Sequence, residues 1–182
     1  GCRAAGHADV RLNSVRLPSS ALLGGGGLSP GLLLTTALAY GRFSVAWGCV
    51  GILRACRNAA AAHARKRVQF GKPIAEHQLI SRHLAELLTA ERTAELACER
   101  ASRSWDARSP DLVIATVLAK HVGAVNAARG AASAVQVLAS AAASDGHVAA
   151  RAYRDAKLME IIEGSNEICQ LLLAEHALAV SD

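Results

Sequence analysis

Residues 29–66 read SPGLLLTTALAYGRFSVAWGCVGILRACRNAAAAHARK. Ser29 is a residue type that commonly caps helices and Pro30 suits a first helical turn, so the stretch predicts a long helix over residues 30–66. Glycine weakens a helix interior by about 1 kcal/mol relative to alanine. Small residues in such a helix more often indicate that another helix packs closely against it. The three glycines concerned are Gly41, Gly48 and Gly51.

Four further helices follow from capping residues and apolar periodicity. Gly71 and Pro73 end the first helix, and an apolar stripe predicts a second helix after them. Ser109 is the expected N-cap of the third. Five helices joined by short loops predict an all-α, up-and-down bundle over residues 26–182. The predicted bounds of the first three of these helices are about 74–106, 110–142 and 148–162, and Ser165 or Asn166 is expected to cap the last.

The first residues of the chain have a different pattern. Apolar and polar residues alternate over residues 8–17 and Pro18 follows, which predicts one or two short strands. Strands this short do not form a stable sheet alone, so we expect their partner strands to lie outside this chain. The four glycines at residues 24–27 then predict a break before the first helix.

Composition excludes several classes of protein. The chain has 182 residues, of which 52% are hydrophobic and 19% charged, so it is long and apolar enough to bury a core. Its net charge is +5, but basic and acidic residues alternate, which argues against a nucleic-acid partner. Arg42 interrupts the apolar run around residues 31–53, so we expect no membrane span. Five widely spaced cysteines argue against a disulfide framework and favour the cytoplasm.

The common catalytic motifs are missing from the sequence. It contains no H-E-x-x-H, no G-x-x-x-x-G-K-[ST] and no G-x-S-x-G. His77 and His83 are six residues apart and share a helix face poorly, so we expect no metal site. Motif and spacing alone therefore leave the function open.

Three segments carry a more specific pattern. They read RVQFGKPI at residues 67–74, with His77-Gln78 close behind, RDAK at 154–157, and EGSNEI at 163–168. In order and spacing they resemble signatures of the acyl-CoA dehydrogenase family, R-x-Q-F-G-x-P-I…Q, R-D-A-K and E-G-T-x-x-I. Residues 10–24 also resemble the last strands of that family's middle β-domain, so the resemblance covers nearly the whole chain.

The resemblance implies the C-terminal portion of such an enzyme. Residues 1–25 would be the end of the middle β-domain with a linker, and residues 26–182 the C-terminal helical bundle. A fragment, a product of proteolysis and one part of a split enzyme all remain open. The resemblance further implies FAD as cofactor, an acyl-CoA or acyl carrier protein thioester as substrate, and a homo- or hetero-tetramer. The N-terminal and β-domain portion of the same enzyme would be a partner.

The resemblance also assigns the catalytic positions. Glu163 matches the family's catalytic base, which removes the α-proton of an acyl thioester while the flavin accepts a hydride from the β-carbon. Without the resemblance, a glutamate before Gly164 is typical of an ordinary helix end, whereas with it Gly164 is expected at the substrate. Some family members carry the base immediately before an arginine on the first long helix, where this chain has Gly41 before Arg42. Arg42 would support the active site, and an exposed helix arginine is the alternative.

Five positions match residues that contact FAD in the family. Arg67 and Phe70 match residues that reach the pyrophosphate and adenosine side of the FAD held by a neighbouring subunit, and a guanidinium suits a diphosphate. Gln136 matches a glutamine at the same cofactor, and a buried glutamine bonded to another helix is the alternative. Ser165 matches a threonine beside the flavin, with a helix N-cap as the alternative, and Gln78 completes the first signature.

The chain departs from the family after Gln136. Relatives usually have L-G-G-x-G there, whereas residues 138–144 read LASAAAS. Glycine permits positive φ and close backbone contact, so two outcomes remain open. Either the helix extends and FAD binds with altered contacts, or this interface no longer holds a flavin. Near the C-terminus, Gln170 and Glu175 stand where relatives commonly have basic residues.

Three functions are compatible with these residues. The first is FAD-dependent α,β-desaturation of an acyl thioester with Glu163 as the base. The second is a flavin-free or non-catalytic partner subunit of the same fold. The third is a helical interaction domain without activity, which predicts that Glu163 is exposed or ion-paired.

Overall fold

The computed structural model describes residues 1–144 and 146–180, and its architecture is a bundle of helices. The predicted all-α fold is confirmed. The strands in the described part of the chain are the two-residue pair β1 (Val68–Gln69) and β2 (Lys72–Pro73), which is antiparallel. The helices are α1 (Pro30–Lys66), α2 (Gln78–Asp106), α3 (Leu112–Leu138), α4 (Val148–Met159) and α5 (Asn166–Ala179).

The most extensive contact between helices of the described chain is that of α1 with α3. Gly123 of α3 lies against Cys49 of α1, and a Cβ at Gly123 would be 3.1 Å from the Cβ of Cys49. Seven residues later, a Cβ at Gly130 would come within 2.5 Å of Leu53 Cδ2. Both contacts advance together along the two helices, so α1 and α3 run in the same direction. Small residues on α3 therefore let the helices approach closely.

α2, which lies between α1 and α3 in the sequence, runs in the opposite direction to both. Leu87, in the first half of α2, meets Gly130 near the end of α3. Trp105, at the end of α2, donates its indole N–H to Thr116 Oγ1 at 2.8 Å, near the start of α3. The up-down-up order predicted from short loops is thereby confirmed for α1 to α3.

The glycines of α1 behave differently from the prediction. Gly48 and Gly51 are exposed, and a Cβ at either position would meet open space. Expecting close helix packing there is therefore wrong within this chain, because the α1–α3 contact is made by glycines of α3 instead. Gly41 is a close-contact position, and its neighbour is described with the candidate site.

The first two predicted helix starts are close to the observed ones. Ser29 Oγ accepts the backbone N–H of Leu32 at 3.2 Å and caps α1 as predicted. The second helix begins at Gln78 instead of residue 74. Phe70 and Gly71 have φ values of 53° and 77° and form a tight turn between β1 and β2, and residues 74–76 form a 3₁₀ turn before the helix.

Several other predicted bounds are wrong by a few residues. The third helix begins at Leu112, because the carbonyl of Ser109 accepts the backbone N–H of Leu112 in a turn that precedes the helix. It ends at Leu138 and does not extend to residue 142, because Ala139 has φ 50° and ψ −132° and starts a 3₁₀ segment, Ala139–Ala143. The fourth helix ends at Met159 and not at residue 162.

The N-terminal residues 1–28 form three short 3₁₀ turns and no strand. The alternating side chains are exposed, from 57% at Val15 to 80% at Val10. A strand needs hydrogen-bonding partners, and no described residue pairs with residues 8–17. The assignment of residues 1–25 to the end of a β-domain stays a prediction, as does the extension of the helical domain to residues 181–182, which lie outside the described residues.

Two helical stretches are long and apolar enough to cross a membrane by length and composition. They are Pro30–Lys66 and Leu112–Ala143, with a mean hydropathy of 1.2 in the most apolar window of each. The two stretches pack against each other in the bundle. The core helices of soluble proteins are often equally long and apolar. The finding therefore does not assign the chain to a membrane.

A buried carboxylate joins α1 to α2. Glu91 is 1% exposed and accepts hydrogen bonds from Arg54 Nε at 2.9 Å and from Arg57 Nε. Burial by itself raises the pKa of Glu91, but the hydrogen bonds from Arg57 and Arg54 outweigh it, so the pKa lies below its usual value. The ionised form of Glu91 therefore stabilises the fold.

Replacing Glu91 by glutamine should destabilise the protein. Glu91→Gln removes two charge-assisted hydrogen bonds, so we expect the free energy of unfolding to fall by about 2 kcal/mol at neutral pH. Because the folded-state pKa is lowered, this contribution is present above the unfolded-state value of about 4.3 and is lost as pH falls through the folded-state pKa. Chemical denaturation at pH 7 and at lower pH measures both effects.

The matched control for this variant is Glu99→Gln. Glu99 makes an exposed pair with Arg103 at 3.8 Å on the same helix, and such pairs contribute on the order of 0.5 kcal/mol or less. Equal losses for both variants, or a loss for Glu91→Gln that does not shrink at low pH, would contradict this account.

Ala139 should be improved by glycine. Its positive φ is strained for a residue with a Cβ, and its side chain is exposed, so Ala139→Gly removes strain without removing packing. We expect the free energy of unfolding to rise by about 1 kcal/mol. Ala62→Gly, at an exposed position inside α1, is the control and should lower it by about 1 kcal/mol. Thermal unfolding of both variants checks the opposite signs.

Candidate active site

The turn between α4 and α5 carries Glu163 in an unusual backbone conformation. Glu163 and Gly164 have φ values of 56° and 89°, so two consecutive residues are left-handed. The turn is closed by the backbone N–H of Asn166, which donates to the carbonyl of Glu160 at 2.9 Å. Glycine adopts this region freely, whereas a glutamate there costs on the order of 1 kcal/mol. The surrounding contacts must hold Glu163 in place.

The side chain of Glu163 lies directly on Gly41 of α1. A Cβ built at Gly41 would be 2.1 Å from Glu163 Oε2 and 2.2 Å from its Cδ. No side chain at position 41 is compatible with this placement. The two positions that the family resemblance names as alternative locations of a base therefore meet in space, and Glu163 occupies that space.

The carboxylate of Glu163 is half-buried and free of ion pairs. Within residues 1–144 and 146–180, no basic group forms a salt bridge with it. This is not the exposed or ion-paired state that a helical interaction domain without activity predicts. An unpaired carboxylate held between two helices is able to accept a proton from a bound molecule.

The side chain of Arg42 supports the turn by binding the turn's backbone. It is 5% exposed, and its Nε donates to the carbonyl oxygen of Glu163 at 3.0 Å. The alternative of an exposed helix arginine is therefore wrong. The guanidinium also lies against Gly164, where a Cβ would be 3.2 Å from Arg42 Nη2. Gly164 thus permits a close approach between the turn and α1.

Lys120 is a residue of this site that sequence reasoning missed. It is fully buried in α3, and its Nζ donates to the carbonyl oxygen of Gly164 at 2.7 Å. Cys169 Sγ lies 3.7 Å from the same oxygen. Burial lowers the pKa of Lys120. A sequence signal existed, because Lys120 lies four residues after Thr116 and three before Gly123, on the stripe that α3 buries.

Ser165 lies beside this turn at the N-cap position of α5. Its side chain makes no capping hydrogen bond to the backbone. A hydrogen bond from the Ser165 side chain instead holds the pKa of Glu167 below its usual value. The expected place of Ser165 beside a flavin stays a prediction, whereas Arg42 is in direct contact with Glu163 and Gly164.

The other predicted cofactor residues gather at the far end of α1. Phe70 and Gln78 line an open groove of about 760 Å³ together with Lys72 and His77. Phe70 is 92% exposed, so its side chain lies outside the core of the bundle. Its ring meets His77 edge-on with a centroid distance of 6.0 Å. Arg67 precedes the tight turn and is also exposed.

Gln136 lies in the last turn of α3 and is exposed, so the alternative of a buried interhelical glutamine is wrong. One turn earlier, Ser133 Oγ is 3.3 Å from His83 Nδ1 of α2. This contact places Gln136 at the same end of the bundle as the groove. The structure does not bring the groove and Glu163 together, because 25 residues of α1, or about 37 Å along its axis, separate Gly41 from Lys66.

Curated proteins are similar in sequence to nearly the whole of this chain. Glutaryl-CoA dehydrogenase from Desulfococcus multivorans is 29% identical over 180 residues, which are 99% of this chain and 46% of that protein. The mitochondrial short-chain specific acyl-CoA dehydrogenase of Homo sapiens is 30% identical over 178 residues, 98% of this chain and 43% of that protein. The chain thus spans about half the length of the curated relatives it matches.

A solved structure is more similar still. It is described as FkbI for biosynthesis of the methoxymalonyl extender unit of the Fk520 polyketide immunosuppressant, with 62% identity and a TM-score of 0.90. The match covers 99% of this chain and 48% of that one. The family model described as the C-terminal domain of acyl-CoA dehydrogenase matches residues 31–178. The chain therefore belongs to the acyl-CoA dehydrogenase family.

Proposed function

We propose that this chain is the helical half of an FAD-dependent enzyme that desaturates the α,β-bond of an acyl thioester, with Glu163 as the base. The observation that carries the proposal is the carboxylate of Glu163, which is unpaired and rests on Gly41, where no other side chain fits. Family membership supports the same reaction class.

The chemistry assigned to this chain is the removal of a proton. The α-hydrogen of a thioester is acidic because the carbonyl stabilises the charge that develops on the α-carbon. Glu163 takes that proton on a carboxylate oxygen, and the resulting carboxylic acid holds it until the product leaves. Arg42 fixes the peptide that follows Glu163, so the carboxylate is positioned before substrate arrives. When bound, FAD supplies the acceptor for the hydride that leaves the β-carbon.

The residues of the groove fit the adenosine and pyrophosphate end of FAD. Phe70 offers an exposed aromatic face and Lys72 a cation within the groove. Arg67, exposed just before the turn, adds a guanidinium that suits a diphosphate. The groove lies about 37 Å along α1 from Gly41, farther than one extended dinucleotide reaches. We therefore infer that the groove serves an active site completed by another subunit, which agrees with the proposed tetramer.

The substrate we propose is a small acyl thioester used to make a polyketide extender unit. This rests on the 62% identity with the protein described for biosynthesis of a methoxymalonyl extender unit. The carrier is CoA or an acyl carrier protein. Testing both forms of one acyl group against the same preparation separates them.

A second candidate is a flavin-free partner subunit of the same fold. The observation that favours it is the segment Ala139–Ala143, which replaces a glycine-rich segment and begins with an alanine at positive φ. This candidate predicts a colourless protein that takes up no FAD. The helix does not extend through this segment, which removes the altered FAD contacts that an extended helix would have made. The flavin content of the preparation decides between the two candidates.

Glu163→Gln should abolish reduction of the flavin by substrate. The variant is tested in the complete enzyme, and we expect the rate of flavin bleaching under anaerobic conditions to fall on the order of 10²- to 10⁴-fold, because the base is lost while its shape is kept. The flavin content should not change. Glu167→Gln, an exposed carboxylate in the first turn of α5, is the control and should bleach at the wild-type rate. Unchanged bleaching in Glu163→Gln would overturn the proposed base.

Gly41→Ala should displace the same carboxylate by steric contact. The added methyl group would overlap Glu163 Oε2 and Cδ, so we expect kcat to fall at least about 10-fold. Gly48→Ala on the same helix meets open space and should leave kcat unchanged while stabilising α1 by about 1 kcal/mol. Steady-state kinetics of both variants is the measurement. Full activity in Gly41→Ala would mean that Glu163 does not work from this position.

A further inference from the structure

Two cations from different helices converge on the turn that carries Glu163. Arg42 of α1 binds the carbonyl of Glu163, and Lys120 of α3 binds the carbonyl of Gly164. We propose that Lys120 is a positioning residue: its ammonium group fixes the peptide after Gly164 and thereby holds the Glu163 carboxylate on Gly41. The inference rests on the proposed function, in which Glu163 is the base.

The backbone of the turn explains why a second anchor is needed. Glu163 has a φ of 56°, and this left-handed conformation is higher in energy than a right-handed one for a residue with a Cβ. Relaxing Glu163 to negative φ requires a compensating rotation at its neighbour, and Gly164 is the residue type that rotates most freely. Arg42 holds the peptide on one side of Gly164, and Lys120 holds the peptide on the other. With both held, Gly164 cannot compensate and Glu163 stays in place.

The surroundings of Lys120 disfavour a charged ammonium group. Its side chain is fully buried. The main effect on its pKa is burial, which lowers it, and the nearby Arg42 lowers it further. Cys169, Cys49 and Glu160 favour the charged form without restoring the usual pKa. An apolar side chain of similar volume would often be as stable or more stable at such a position. Bundle stability alone therefore explains the lysine poorly, whereas the hydrogen bond to Gly164 explains it directly.

The test compares Lys120→Met and Lys120→Gln in the complete enzyme. Methionine keeps the volume and removes the donor, while glutamine keeps a neutral donor. We expect Lys120→Met to lower kcat on the order of 10- to 100-fold with little change in KM, and Lys120→Gln to recover part of the loss. The exchange of the substrate α-hydrogen with deuterium should fall in parallel, because it reports the base alone. Lys157→Met, at an exposed lysine paired with Glu160, is the control.

A double-mutant cycle separates positioning from general stability. If Lys120 acts through Glu163, adding Lys120→Met to Glu163→Gln should cause no further loss of α-hydrogen exchange. A full additional loss of exchange in the double variant would overturn the inference. Wild-type kcat and exchange in both Lys120→Met and Lys120→Gln would also overturn it. So would a loss that follows the melting temperature and is not reduced in Lys120→Gln.

The outcomes also distinguish this inference from the proposed function. If Glu163→Gln retains wild-type exchange, the proposed function fails. If Glu163→Gln loses exchange while Lys120→Met keeps it, the proposed function stands and the positioning role of Lys120 is wrong.

Discussion

The close, same-direction packing of α1 against α3 is the constraint on which the candidate site depends. The glycine at position 123 brings α3 onto α1 at Ala46 and Cys49. One turn earlier on each helix stand Arg42 and Lys120. Because the helices run in the same direction, this contact brings the two cations to the same level, where the turn between α4 and α5 crosses. A wider separation of the helices would put the two carbonyls of that turn out of reach of one of them.

The same packing stabilises the left-handed backbone conformation of Glu163. A left-handed glutamate, a buried ammonium group and a buried guanidinium are each unfavourable alone. Together they satisfy one another, since each cation obtains a carbonyl oxygen and each carbonyl is held in one direction. The carboxylate remains outside this arrangement, without an ion pair. The buried charges of Arg42 and Lys120 thus bind the backbone of the turn, and the side chain of Glu163 stays available for chemistry.

Sequence patterns predicted what depends on local chemistry. The start of α1 followed from Ser29 and Pro30, and four further helices followed from capping residues and apolar periodicity. The start of α2 was displaced because residues 74–76 form a 3₁₀ turn before the helix, which capping residues and apolar periodicity do not distinguish from a first helical turn. Lys120 was overlooked because a single lysine in an alanine-rich helix is ordinarily exposed, and only its spacing from Thr116 and Gly123 marks it as buried. The steric role of Gly41 depends on a residue 122 positions away, which no local pattern reveals.

The distance between Glu163 and the groove at Phe70 gives the bundle its place in an assembly. Both features are tied to α1, a single helix of 37 residues, and the gentle curvature usual in long helices does not close a separation of about 37 Å. Under the proposed function, each bundle contributes a base to one site and an aromatic, cationic groove to another. Gln136 and Ala139 lie at the groove end, so the replaced glycines affect contacts that one subunit makes with its neighbour's cofactor, while the geometry around Glu163 is independent of them. Loss of flavin affinity and loss of the base are therefore separable properties of this fold, and a chain with Ala139 can keep a complete base site.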